Sequence, residues 1–261
     1  MNAPSKSRFV WHELLAADPA VAKGFYTAVV GWGTEEWKTP PGAPPYTMWM
    51  NGKSSVGGLM ALPPEAKAAG APSHWLGYVS VASVDQTTDQ ARKLGAKVHM
   101  GPVDLPEVGR IAVLADPQGA AIAVFTPAGA GMSPPENPPV GAVSWNELAT
   151  DDWKKAFDFY SQLFGWAKGD AMDMGAMGTY QILTPAGGGV PFGAMFDRPP
   201  QIPVSNWLYY FRVANLDAAV EKAKAKGGQL LNGPMDVPGG RIAQLMDAQG
   251  AAFALHWVAN G

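Results

Sequence analysis

The chain repeats itself. Trp11-His12-Glu13-Leu14 returns as Trp145-Asn146-Glu147-Leu148, Asp18 as Asp152, Phe25-Tyr26 as Phe159-Tyr160 and Gly31-Trp32 as Gly165-Trp166, each 134 positions on. Tyr46 and Tyr180 keep that offset, which then falls slowly to 131 by Asp116-x-Gln118-Gly119 and Asp247-x-Gln249-Gly250. Trp75-Leu76 pairs with Trp207-Leu208, Tyr78 with Tyr210, Gly101-Pro102 with Gly233-Pro234, and Gly109-Arg110 with Gly240-Arg241. A unit this long is a domain rather than one turn of a solenoid. The sequence is therefore read as one domain over 1–126, a linker over 127–141 and a second domain over 142–261. The linker holds the run PPENPP and has no periodicity.

Each copy divides again. FVWHELLA is a short apolar strand pattern. Asp18 is a helix N-cap with Pro19 at the first helical position, and Gly31 ends that helix. Val21, Phe25 and Val29 recur at helical spacing and are expected to face the core. Strands near 46–50 and 55–60 follow. The scheme restarts with a strand at 75–82, a helix at about 85–94 and strands near 97–100, 110–115 and 121–126. The second copy has helices near 152–164 and 217–226. The order is βαβββ twice per domain, an α+β class.

Composition removes several functions. The net charge is -3 with acid and base interspersed, so neither nucleic acid nor an anionic membrane is an expected partner. With no cysteine, disulfides, thiolate metal sites and Cys nucleophiles are excluded. No stretch approaches 18 uninterrupted apolar residues, and MNAPSKSRF carries no apolar leader. A cytoplasmic protein, a monomer of two domains or a homodimer, with a small-molecule ligand is the expectation. Phosphate-loop, nucleophile-elbow and H-E-x-x-H motifs are absent.

A strand, then Asp, then FY…GW, and later a D-P-x-G turn before a final strand, resemble the vicinal oxygen chelate superfamily of glyoxalases, extradiol dioxygenases and bleomycin-resistance proteins. The likeness covers roughly 8–126 and 142–258. It implies tandem glyoxalase-like domains, each with two βαβββ modules curling a mixed, mostly antiparallel sheet around a cavity. It also implies a divalent metal held there by His, Glu or Gln side chains, acting as a Lewis acid. The positions it designates for ligands carry Trp11, Leu76 and Ala123, and Trp145, Leu208 and Ala254. None of these side chains binds metal. The expectation is a site without the family's usual ion, opening lyase, isomerase, oxygenase or simple binding roles. The alternative is a Zn, Ni, Fe or Mn site built from His12, Glu13 and His74 or His256.

Strand alternation selects the remaining polar groups. With Trp11 facing the cavity, Glu13 faces it too, as does Glu147 beside Trp145. A carboxylate among apolar neighbours suits a general acid or base. It equally suits a structural role binding loop N–H groups. His256, where the first copy has Phe125, is a third candidate for proton transfer. Trp11, Tyr46, Trp75 and Tyr78, with Trp145, Tyr180, Trp207, Tyr210 and Arg212, are the expected ligand-binding residues. An aromatic lining with few charges suits a planar or partly apolar molecule. Arg110 and Arg241 anchor either an anionic ligand group or Asp104 and Asp236 in the preceding loop.

Overall fold

A computed structural model gives the architecture and describes residues 7–39, 42–129 and 134–259. The expected linker falls partly outside the described residues, at 130–133. The first repeat runs β1 (Phe9–Ala16), α1 (Pro19–Val29), β2 (Gly33–Trp37), β3 (Tyr46–Asn51), β4 (Ser54–Ala61), α2 (Pro64–Ala68), β5 (His74–Ser80), α3 (Val84–Lys93), β6 (Lys97–Leu105), β7 (Gly109–Ala115) and β8 (Ala121–Pro127). The second runs β9 (Val143–Thr150), α4 (Trp153–Phe164), β10 (Ala167–Asp173), β11 (Thr179–Thr184), β12 (Gly193–Asp197), β13 (Asn206–Arg212), α5 (Leu216–Ala225), β14 (Gln229–Val237), β15 (Gly240–Met246) and β16 (Ala252–Val258). The βαβββ order holds in all four modules. The additions are the short α2 and a 3-10 turn at Gly175–Met177.

There are two eight-stranded mixed sheets, ordered β2-β3-β4-β1-β5-β8-β7-β6 and β10-β11-β12-β9-β13-β16-β15-β14. Within the modules, β1 runs parallel to β4 and β5 to β8, and the hairpins are antiparallel. The second sheet repeats that pattern. Neither sheet closes into a barrel.

The helices start where the sequence says. Asp18 and Asp152 each accept two backbone N–H bonds at the head of α1 and α4. Gly165 ends α4 at φ 70°, a left-handed turn that glycine adopts without strain. Val21 departs from expectation. It is 45% exposed, and Ala22, Phe25, Tyr26 and Val29 form the buried stripe of α1. The stripe is centred on Tyr26, and the small Ala22 takes the place one position round from Val21.

The chain packs as two compact units, and each draws on both repeats. One joins Gly77–Glu136 to Asn146–Trp207 and includes the start of β1. The other joins Trp11–Leu76 and Asn137–Trp145 to Leu208–Gly261. In the second unit Tyr26 is the centre of an aromatic core with Trp32, Trp49, Trp75, Phe211 and Phe253. Its hydroxyl accepts from Trp75 Nε1 at 2.9 Å and donates to Asp247 Oδ2 at 3.1 Å. In the first unit Tyr160 does the same among Phe164, Trp166 and Trp207. It accepts from Trp207 Nε1 at 3.0 Å and donates to Asp116 Oδ2 at 2.9 Å.

The Gly-Trp tryptophans also act across the repeats. Trp32 Nε1 donates to Gly141 O at 2.7 Å, and Trp166 Nε1 to Ser7 O at 2.6 Å. Each indole thus holds the backbone that leads into the other repeat's first strand. Gln249 grips Asp18 by backbone N and O, and Gln118 grips Asp152 in the same way.

Candidate functional site

Register sets the first group of site residues. Glu13 on β1 pairs with Gly58 on β4, which pairs with Met48 on β3. Two residues further along β4, Met60 pairs with Tyr46. These residues lie on the face opposite the helix-packed one, which carries Leu14, Leu59 and Trp49. Trp11 Nε1 donates to Tyr46 Oη at 2.9 Å, and the Tyr46 hydroxyl in turn hydrogen-bonds Glu13. A hydroxyl has one proton, so the chain runs Trp11 N–H to Tyr46 O–H to the Glu13 carboxylate. Glu13 is buried. Burial, and then the Glu13 charge, push the Tyr46 hydroxyl far above its ordinary pKa, so it remains a proton donor at any physiological pH.

Gly58 makes that arrangement possible. A Cβ there would lie 1.8 Å from Tyr46 Oη and 3.1 Å from Trp11 Nε1. The second repeat keeps the core of the motif. Tyr180 Oη donates to Glu147 Oε2 at 2.8 Å, and Glu147 pairs with Ala194 where the first repeat has Gly58. Glu147 is buried to the same degree as Glu13. Trp145 stands on β9 partly exposed.

The C-terminal modules differ from each other. In the first repeat Tyr78 pairs with Ala123, which pairs with Val113, and Ser80 pairs with Phe125, which pairs with Ile111. Apart from the hydroxyls of Tyr78 and Ser80, that face is apolar and carries no charged side chain. In the second repeat the matching rows are Tyr210, Ala254 and Gln244, then Arg212, His256 and Ile242. Gln244 Nε2 donates to Tyr210 Oη at 3.0 Å. Ser144 Oγ lies 2.9 Å from His256 Nδ1. Burial, and then the Arg212 charge, hold the His256 imidazolium pKa below its usual value, so the ring is neutral at pH 7.

Several expectations need correction. Trp75 and Trp207 do not share the face of Tyr78 and Tyr210. Each points to the aromatic core, with its N–H spent on Tyr26 or Tyr160. Strand alternation puts them there, because they precede Leu76 and Leu208 by one residue. Arg212 is not presented to a ligand. It is buried, and its Nη1 donates to Asn137 Oδ1 at 3.0 Å and Pro138 O at 2.6 Å, tying the linker to β13. His12 packs its ring edge-on against Tyr209 on the helix side, and His74 Nδ1 lies 2.8 Å from Pro72 O. Neither joins Glu13 in a cluster able to hold an ion. Arg110 and Arg241 serve the fold: they form two-pronged bonds to Asp85 and Asp217 in the first turns of α3 and α5, with Asp104 and Asp236 as secondary partners. Both arginines and their partners are largely solvated, so Arg110→Ala and Arg241→Ala should barely move the melting temperature in a thermal scan.

Sequence reasoning misses Gly58, Ser144 and Gln244. Gly58 is readable as the second glycine of a Gly-Gly pair inside a strand, a sign of close approach. Ser144 gives no such signal, since its partner His256 is 112 positions away.

The residues do not fit the family's usual metal. Among the described residues, no three His, Cys, Asp or Glu side chains gather where they could hold an ion. Trp11, on the strand where the resemblance implies a ligand, donates its N–H to Tyr46.

The fold and the repeated sequence place the chain in a known class. Residues 8–124 and 142–255 each match the family described as Glyoxalase/Bleomycin resistance protein/Dioxygenase superfamily. The chain belongs to that superfamily, with two copies of its domain. It is 34% identical over 246 residues to "Putative glyoxylase CFP32" of Mycobacterium tuberculosis (strain CDC 1551 / Oshkosh), covering 94% of this chain and 92% of that one. It is 33% identical over 261 residues to the anthracycline biosynthesis protein DnrV of Streptomyces peucetius, covering 94% and 91%. Among solved structures, the Mn(II)-bound glyoxalase from Novosphingobium aromaticivorans is similar with a TM-score of 0.61 at 16% identity, over 97% of this chain and 82% of that one. The 2,3-dioxygenase LapB from Pseudomonas sp. KL28 is similar with a TM-score of 0.62 at 13% identity, over 96% and 91%. At such identities the two structures speak for the fold. No helix among the described residues is long and apolar enough to cross a membrane.

Proposed function

We propose that the chain binds a planar, partly apolar small molecule on the faces carrying Trp11 and Tyr46, and Tyr180, and works without a protein-held metal. Glu13 and Glu147 are its acid–base groups. The observation that carries this reading is the Trp11–Tyr46–Glu13 chain, repeated as Tyr180–Glu147. A tyrosine hydroxyl orients each buried carboxylate, and aromatic surface lies beside it. The lack of a three-ligand cluster among the described residues supports the metal-free part. The relative named for anthracycline biosynthesis supports the ligand class, since anthracyclines are fused planar ring systems.

Titration with 1,4-dihydroxyanthraquinone, read by tryptophan fluorescence, tests this. Binding should quench the fluorescence, and treatment with a chelator should change neither the affinity nor the melting temperature. Stacking contributes about 0.5–1.5 kcal/mol per aromatic pair. Trp11→Leu should therefore weaken binding several-fold to about tenfold. Glu13→Gln and Glu147→Gln should keep binding while losing any turnover of the bound substrate. Stoichiometric metal in the purified protein, or binding lost on chelation, would overturn the metal-free reading.

A further inference from the structure

The hydrogen bonds around Ser144 assign a proton. Ser144 Oγ lies 2.9 Å from His256 Nδ1 and 3.2 Å from the Tyr210 carbonyl oxygen. The carbonyl only accepts, so it takes the one hydroxyl proton, and Oγ then accepts from the ring. A neutral His256 therefore carries its hydrogen on Nδ1, and Nε2 holds a lone pair. The buried side-chain N and O atoms lacking a partner among the described residues are Arg8 Nε, Trp49 Nε1 and Thr88 Oγ1. His256 Nε2 is not one of them, and the ring is half-buried rather than sealed, so this nitrogen is open to approach. The charged group facing the ring is Arg212, in the same cross-strand row. Its cation disfavours a second positive charge on the imidazole. In the row of Ala254, Tyr210 and Gln244 supply further polar surface. The first repeat keeps the tyrosine as Tyr78 but has Phe125, Ser80, Val113 and Val10 at the other matching positions, so it has neither the imidazole nor its hydroxyl partner.

We propose that this face of the second repeat binds hydroxyl-bearing ligands of the phenol or enol class, with His256 Nε2 accepting the hydroxyl hydrogen bond and Ser144 as the positioning residue that fixes the ring's tautomer. The proposal deepens the reading of planar-ligand binding above and rests on it for the ligand's general shape. It also divides labour between the repeats: an apolar face in the first, a proton-accepting one in the second. A lone pair held in place on a neutral ring is what a general base near neutral pH needs.

The test is ¹⁵N NMR of the full chain, whose four histidines keep the spectrum simple, with His256→Gln for assignment. Wild type should show His256 as the Nδ1–H tautomer. Ser144→Ala should lose that preference, and Ser144→Thr should restore it. An Nε2–H tautomer in wild type overturns the proposal without recourse to any variant, and so does an unchanged ring in a folded Ser144→Ala. Phenol should shift the Nε2 resonance, while anisole, which has no hydroxyl hydrogen, should not. Equal responses to the two, or none to phenol, would also overturn it. Failure of dihydroxyanthraquinone to quench tryptophan, with phenol still moving Nε2, would count against the planar-ligand reading alone.

Discussion

Gly58→Ala should be among the most damaging single methyl groups that can be added to this protein. The new Cβ would lie 1.8 Å from Tyr46 Oη and 2.5 Å from Tyr46 Cζ, so the ring has to leave its place over β4. That breaks the bond from Trp11 and the bond to Glu13 together, and leaves a buried carboxylate short of a donor. Overpacking costs about 1–3 kcal/mol, and a buried polar group left unsatisfied about 1–3 kcal/mol more. Thermal unfolding should show a fall of roughly 2–4 °C for each kcal/mol in a chain of this size. Dihydroxyanthraquinone binding should weaken as well. The mirror change, Ala194→Gly, should be mild, because the second repeat already accommodates that methyl beside Glu147. A Gly58→Ala protein that melts and binds like wild type would show that Tyr46 does not need its cradle.

Asp116→Asn and Asp247→Asn should each lower stability by about 1–3 kcal/mol, by orphaning a buried tyrosine proton. Each Asp Oδ1 accepts backbone N–H bonds from its own turn, and Asn can do that too. Each Oδ2 accepts from Tyr160 or Tyr26, whose oxygen is already taken by a tryptophan N–H. An amide nitrogen in that place offers only donors. The loss should also depend on pH. Burial raises both carboxyl pKa values above their ordinary value, against the lowering effect of their hydrogen bonds. In the window from about 3.9 up to the folded pKa, the folded chain holds protons that the unfolded chain has released. These groups therefore favour folding most at acidic pH and lose that contribution as pH rises through the window. Melting curves across pH should show the deficit of the variants widest on the acid side and narrower near pH 7. A deficit that grows with pH would reverse the assignment.

The repeat, the module order and the Asp18 and Asp152 caps are legible in the sequence, because these are local patterns or matches between two copies. Glu13 and Glu147 follow from alternation once the family resemblance has placed Trp11 and Trp145, since a strand's period of two is rigid. The same rule goes astray at Trp75 and Trp207, which sit one step out of phase with Tyr78 and Tyr210 and belong to the core. Arg212 looks available because its partners, Asn137 and Pro138, are in a proline-rich stretch that reads as a spacer. Ser144 with His256, and Gln244 with Tyr210, depend on strand register across long separations. One sequence without its pairing does not contain that information.

The grip of each glutamine on the other repeat's helix cap, and of each Gly-Trp indole on the backbone ahead of the other repeat's first strand, bears on how such a chain could arise. Each core takes side chains from the neighbouring copy, Phe211, Phe253 and Asp247 at Tyr26 and Asp116 at Tyr160, so a single repeat released at the linker would lose part of the cover of its central tyrosine. Two such fragments, separately expressed and mixed, should find each other and restore one melting transition. Fusion of the two copies in one chain keeps together the parts that each compact unit needs. Once fused, the copies could diverge one residue at a time, as His256 and Phe125 have, without either losing its partner.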